Sequence, residues 1–175
     1  SEMCIRDSDG TYYLEEPDGR MAEGWRELDQ NYYYFNSSGR MTTGWQDVGG
    51  TWYYMDSEGH MQTGWQDIDG KRYYLNSSGA MLSGWQDIDG ARYYLNASGA
   101  MQTGWQQLDG TWYYLNSDGR MATGWKKSGE TWYYLNSEGQ MQTGWIEVDG
   151  ALYYLNESGA MAANTILDRN GVKYQ

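Results

Sequence analysis

The chain has 175 residues, enough for one domain or one elongated array, with 12 basic and 24 acidic residues and a net charge of −12 at pH 7. That charge repels a phosphate backbone and slows encounter with anionic lipid, which argues against nucleic acid and for a small cation as partner, besides keeping an exposed array soluble. Aromatics make up 17%, with 10 Trp and 18 Tyr against one Phe, so buried surface has to come from rings and Met thioethers rather than from an ordinary aliphatic core.

Residues 1–8 (SEMCIRDS) match nothing that follows and are set apart as a non-repeat leader or artefact. They lack the apolar stretch of a secretory signal, and the single cysteine, Cys4, cannot form an internal disulfide. No apolar run approaches membrane-spanning length, so membrane insertion is not expected. A worn first unit, Asp9-Gly10-Thr11-Tyr12-Tyr13-Leu14, continues as Glu15-Glu16-Pro17 where later units have Asn-Ser. From Met21 to Met161 a methionine recurs every twenty residues without insertion. The Gly-Trp pairs at Trp25, Trp45, Trp65, Trp85, Trp105, Trp125 and Trp145 keep the same step, each followed by a double Tyr. Tandem repeats therefore occupy residues 9–162. Residues 163–175, where Asn164-Thr165 replaces Gly-Trp and Asn170-Gly171 offers a last turn, read as a C-terminal cap.

One unit reads GWQDIDGKRYYLNSSGAM. Its two strand-like segments flank Asp69-Gly70, a dipeptide that favours a two-residue type I′ hairpin turn, and end in the loop cluster Asn76-Ser77-Ser78-Gly79. That turn sets Trp65 opposite Tyr74, Gln66 opposite Tyr73, Asp67 opposite Arg72 and Ile68 opposite Lys71. Two faces follow. Gln66, Ile68, Tyr73 and Leu75 share the face assigned to the core, together with Leu28, Val48, Ile88, Leu108 and Val148. Trp65, Asp67, Arg72 and Tyr74 share the face assigned to the seam between hairpins. An isolated hairpin is marginal in water, so the units must stack, and the expected fold is an all-β solenoid of eight or nine 20-residue hairpins.

On the seam face, the position seven residues after each Gly-Trp ring is Trp52, Trp112 and Trp132 in three units. Trp45 with Trp52, Trp105 with Trp112 and Trp125 with Trp132 are diagonal neighbours on one face, close enough to form two walls. A third ring from the next hairpin can close the box, and the seam-face tyrosine there is Tyr74, Tyr134 or Tyr154. Such a box suits a quaternary ammonium, which cannot donate hydrogen bonds but is attracted to π faces. Large rings at a seam also serve plain packing, which accounts well for the Gly-Trp ring and the first Tyr of each pair. It accounts poorly for the second Trp, which other units replace with Arg or Leu.

These units resemble the choline-binding repeats of pneumococcal and phage cell-wall lytic enzymes, whose pattern is TGWxxxxGxWYYLNxxGxM; residues 104–121 (GWQQLDGTWYYLNSDGRM) match it closely. The resemblance implies a secreted, non-catalytic module of the bacterial cell surface that binds choline or phosphocholine of teichoic acids, with a catalytic or effector domain elsewhere in the parent protein. The sites it implies are Trp45, Trp52 and Tyr74; Trp105, Trp112 and Tyr134; and Trp125, Trp132 and Tyr154, with Trp25, Tyr32 and Tyr54 as a fourth. Departures are specific. Arg72 and Arg92 replace the second wall and should repel choline, pairing instead with Asp67 and Asp87, while Leu152 offers no π face. Asp47 favours a cation beside Trp52 and Lys127 disfavours one beside Trp132, so the Trp45 site ranks first. Related repeats with basic residues at this position, in glucan-binding tails of streptococcal glucosyltransferases and in clostridial toxin repeats, bind carbohydrate, so a glycan stays open as the alternative ligand. His60 is alone, in a loop where solvation is expected, and no nucleophile arrangement or His and Cys metal set can be assembled. Neither catalysis nor a cofactor is expected.

Overall fold

Turn chemistry acts first. In the computed structural model Asp69 and Gly70 both take positive φ, 50° and 73°, the type I′ geometry whose twist matches that of the flanking strands. The pairing follows from it: Trp65 lies opposite Tyr74, Gln66 opposite Tyr73, Asp67 opposite Arg72 and Ile68 opposite Lys71, as the sequence predicts. Gly129-Glu130 reaches the same end differently, since only Gly129 has positive φ there, the type II′ pattern.

The structure describes residues 3–6, 10–163 and 167–174. Among them the chain is all-β, with eighteen strands paired into nine two-stranded sheets. Two units are distinguished, Ser1–Gly84 with Leu95–Met101, and Trp85–Tyr94 with Gln102–Gln175. Within each, hairpins stack through a repeated backbone bond, so each unit displays the expected solenoid of tandem hairpins. In the first unit the Met81 N–H donates to the carbonyl of Trp52 at 2.8 Å; in the second, Met141 donates to Trp112 at 2.8 Å and Met121 to Arg92 at 2.7 Å. The contact uses only the backbone of the second-wall residue, so its side chain is free to vary between Trp, Tyr and Arg.

Phe35, Met55, Leu75, Leu95, Leu115, Leu135 and Leu155, one per repeat at the end of the second strand, are fully buried. Ile68 and Ile88 join them, whereas Leu28, Val48, Leu108 and Val148 are half-buried, so the strand-end residue carries most of the core. The connectors that open with Asn36, Asn76, Asn96, Asn136 and Asn156 are locked by that asparagine. Asn76 Oδ1 accepts the N–H groups of Ser78 at 2.9 Å and Ala80 at 3.0 Å. An Asn76→Ala chain should lose about 1 kcal/mol of stability, because those two donors lose their acceptor in a loop that water reaches. Chemical denaturation of the two proteins checks the value.

Each terminus adds a two-stranded sheet. The sequence sets residues 1–8 apart from the repeats, yet Met3–Arg6 pairs antiparallel with Tyr12–Glu15, Cys4 standing opposite Leu14. Strand pairing uses backbone donors and acceptors, so a segment without the repeat's side chains can still complete a hairpin. At the other end Leu167–Arg169 pairs with Val172–Tyr174 about the expected Asn170-Gly171 turn, with φ of 53° and 79°. Ser1, Ser8, Asp9, Asn164 and Thr165 lie outside the described residues.

Candidate functional site

Trp25, Trp45, Trp85, Trp105 and Trp125 are each held by two tyrosines. Trp45 meets Tyr54, its cross-strand partner, at 5.2 Å between ring centroids, and Tyr73 of the next hairpin at 4.9 Å. Trp105 is held by Tyr114 at 5.1 Å and Tyr133 at 4.7 Å, and Trp125 by Tyr134 at 5.1 Å and Tyr153 at 4.7 Å. Trp25 has Tyr34 at 5.1 Å and Tyr53 at 4.8 Å. The third ring is thus the first tyrosine of each pair, not the second.

Alternation along the strand predicts Tyr74, Tyr134, Tyr154 and Tyr54 in that role. The structure stacks them on the Trp of their own hairpin instead: Tyr74 on Trp65 at 5.0 Å, Tyr134 on Trp125, Tyr154 on Trp145 at 5.1 Å and Tyr54 on Trp45. The reason is geometric. Units related by a repeated step present unlike faces to each other, so the Trp face of one hairpin meets the opposite face of the next, where Tyr73, Tyr133, Tyr153 and Tyr53 lie.

The second wall falls where the register puts it. Trp45 and Trp52 are 6.4 Å apart with planes at 79°, Trp105 and Trp112 6.4 Å at 83°, and Trp125 and Trp132 6.5 Å at 89°. Trp52, Trp112 and Trp132 keep 43%, 39% and 41% of their surface exposed, too much for core residues. Trp105, Trp112 and Tyr133 line a cavity of about 230 Å³ with Met141 and Ser158. Neither of the last two is among the site residues the sequence predicts. The invariant step of the methionines is the signal for Met141; Ser158 gives none, since it looks like any connector serine.

Charge differs from box to box. Asp47 stands opposite Trp52 and accepts the Gly50 N–H at 2.8 Å, so its carboxylate is held beside the first box. Lys127, opposite Trp132, pairs with Glu130 at 3.3 Å, which offsets part of the charge expected to weaken that box. Tyr32, the exposed second wall beside Trp25, has its phenol raised above the usual range by a hydrogen bond to Glu27 and by that carboxylate's charge. It therefore stays neutral throughout the physiological range.

The arginine positions make a different surface. The guanidinium of Arg72 lies over the Trp65 ring at 5.1 Å, and that of Arg92 over Trp85 at 5.1 Å, with Asp67 and Asp87 paired to them at 3.6 Å and 3.8 Å as the register implies. Arg169 covers Trp145, whose second-wall position is Leu152, at 5.5 Å. Each Gly-Trp ring lacking an aromatic second wall thus carries a guanidinium of the chain itself. In the second unit Trp85, Arg92, Tyr113, Met121, Glu138 and Gln140 line a cavity of about 230 Å³. His60 is not simply solvated: it is half-buried, with Nδ1 3.3 Å from Asp56 and its ring 5.3 Å from that of Tyr33. Among the described residues no group of three or more His, Cys, Asp or Glu is placed to hold a metal.

The chain is matched by a family model described as choline-binding repeat, over residues 22–62, 42–83, 62–103, 82–123, 102–134 and 122–165. The chain belongs to the choline-binding repeat family. Choline-binding protein F of Streptococcus pneumoniae, solved in the presence of a peptidoglycan analogue (tetrasaccharide-pentapeptide), is 43% identical with a TM-score of 0.84, over 89% of this chain and 57% of that one. CbpJ of the same organism is 40% identical with a TM-score of 0.88, over 99% and 67%. The choline-binding domain of CbpL, also pneumococcal, is 31% identical with a TM-score of 0.64, over 93% and 87%. The chain therefore spans little more than half the length of choline-binding protein F. A comparison with curated proteins gives no match.

Proposed function

We propose that the chain is a non-catalytic targeting module of a secreted protein, holding choline or phosphocholine of teichoic acids at the bacterial surface. Four boxes carry the role: Trp45, Trp52 and Tyr73; Trp105, Trp112 and Tyr133; Trp125, Trp132 and Tyr153; and Trp25, Tyr32 and Tyr53. The observation that carries the reading is the pair of perpendicular indoles 6.4–6.5 Å apart, one ring packed and one exposed. A trimethylammonium needs π faces and no hydrogen-bond partner. Three rings supply about −4 kcal/mol, which is millimolar affinity, and several boxes on one module raise the effective affinity for a polymer.

Calorimetric titration with choline tests this, and no heat at tens of millimolar would sink it. Replacing Trp52, Trp112 and Trp132 together with Ala should leave at most the weak Tyr32 site while the fold stays intact, since all three side chains are exposed. A glycan is the second reading, favoured by the cavity at Arg92. Its guanidinium, the Glu138 carboxylate and the Gln140 amide suit the donors and acceptors of sugar hydroxyls, which a trimethylammonium lacks. Retention on a glycan array that choline does not disturb would support it.

A further inference from the structure

The box at Trp105 is closed by Ser158, which belongs to a connector two hairpins further on and stands fifty-three positions after Trp105. The cavity at Trp85 is bordered at the same offset by Glu138. In the sequence this offset from Trp25 and Trp45 falls on Ser78 and Ser98. The residue type changes together with the second wall: serine where that wall is Tyr or Trp, and the Glu138 carboxylate where it is Arg92. A solvated connector that served only to turn the chain would have no reason to follow a side chain two hairpins away.

We infer that this connector position is a specificity-determining residue of each box, supplying an oxygen acceptor toward whichever cation occupies the Trp face. Its chemistry fits that role. The Ser158 hydroxyl donates its single proton to Asn156 Oδ1 at 2.7 Å, and Ser98 does the same to Asn96 at 2.8 Å, so each offers a ligand only oxygen lone pairs. At Trp85 the cation is the chain's own Arg92, and Glu138 supplies a full negative charge on the same side. At Trp105 the Trp face is open to an incoming cation, and the acceptor is a neutral dipole. The position thus tunes how strongly each box attracts positive charge, independently of its aromatic walls.

The inference rests on the choline reading, and the two can fail separately. In a full-length chain carrying Tyr32→Ala, Trp52→Ala and Trp132→Ala, the remaining box is that of Trp105 and Trp112. Adding Ser158→Glu should tighten its choline binding about three- to tenfold at low salt, and Ser158→Lys should weaken it by a similar factor. Both changes should shrink as salt is raised. Binding of 3,3-dimethylbutan-1-ol, the uncharged isostere of choline, should move in neither variant. Glu already occupies the equivalent loop position at Glu58 and Glu138, so the Glu variant decides the matter if the Lys variant does not fold. No choline binding by the parent chain overturns the choline reading and this inference with it, and binding by the parent but not by the background overturns the inference alone. Binding of equal affinity in the Ser and Glu chains overturns the inference alone.

Discussion

An Arg92→Trp chain is expected to take up one more equivalent of choline than its parent. Every part of a box except the second wall is already in place at Trp85. Tyr113 packs on Trp85 at 4.9 Å, as Tyr133 packs on Trp105 at 4.7 Å, and Met121 borders the cavity as Met141 borders its own. The backbone at position 92 is held by the Met121 N–H at 2.7 Å, the same bond that Trp112 makes with Met141, and it does not depend on the side chain. Removing Arg92 gives up an exposed ion pair with Asp87 worth about 0.2–1 kcal/mol and a guanidinium stacked on Trp85. In return the Trp85 face opens. Asp87 then flanks the new wall as Asp47 flanks Trp52, and Glu138 remains at the connector. The gain runs from no binding to millimolar affinity, about −4 kcal/mol. Calorimetry with choline in excess counts the sites, and an unchanged stoichiometry in a folded variant would refute the idea that Arg92 is what closes this one.

Much of this geometry is legible in one repeat. A two-residue turn, Asp69-Gly70 in one hairpin and Gly49-Gly50 in another, leaves no freedom in pairing, so Asp67 opposite Arg72 and the diagonal placing of Trp45 and Trp52 follow from counting outward from the turn. Alternation then assigns Leu75 and its equivalents to the core, and they are fully buried. Which tyrosine closes the box is not legible in the same way. Alternation tells which residues share a face, but Tyr73 and not Tyr74 meets Trp45 because stacking brings unlike faces together, a property of two hairpins rather than one. Ser158 is harder still, since its contact with the Trp105 cavity spans three hairpins. Met3–Arg6 escapes the sequence pattern for the opposite reason: its pairing is made by backbone groups on which the repeat is silent.

The connector glycines carry a second constraint that a turn alone would not explain, and Gly159→Ala is expected to cost the protein both stability and a binding site. Gly159 has φ of +80°, which by itself costs an alanine about 1–2 kcal/mol. A Cβ there would also lie 2.4 Å from Sδ and 2.7 Å from Cε of Met141, so the thioether has to move, adding about 1–3 kcal/mol of overpacking. Met141 has little room to retreat without entering the cavity it shares with Trp105, Trp112 and Tyr133. The loss of stability and the loss of choline binding at that box should therefore appear together. Gly150→Ala separates the two causes: Gly150 has φ of +77° in a hairpin turn, and a Cβ added to it would meet nothing within 4 Å. That variant should show the conformational cost alone, about 1–2 kcal/mol, and bind choline as the parent does. Thermal unfolding and choline titration of both chains make the comparison. If Gly159→Ala is no worse than Gly150→Ala in either measurement, Met141 is not held against the connector, and the methionine that recurs every twenty residues has no part in shaping the box.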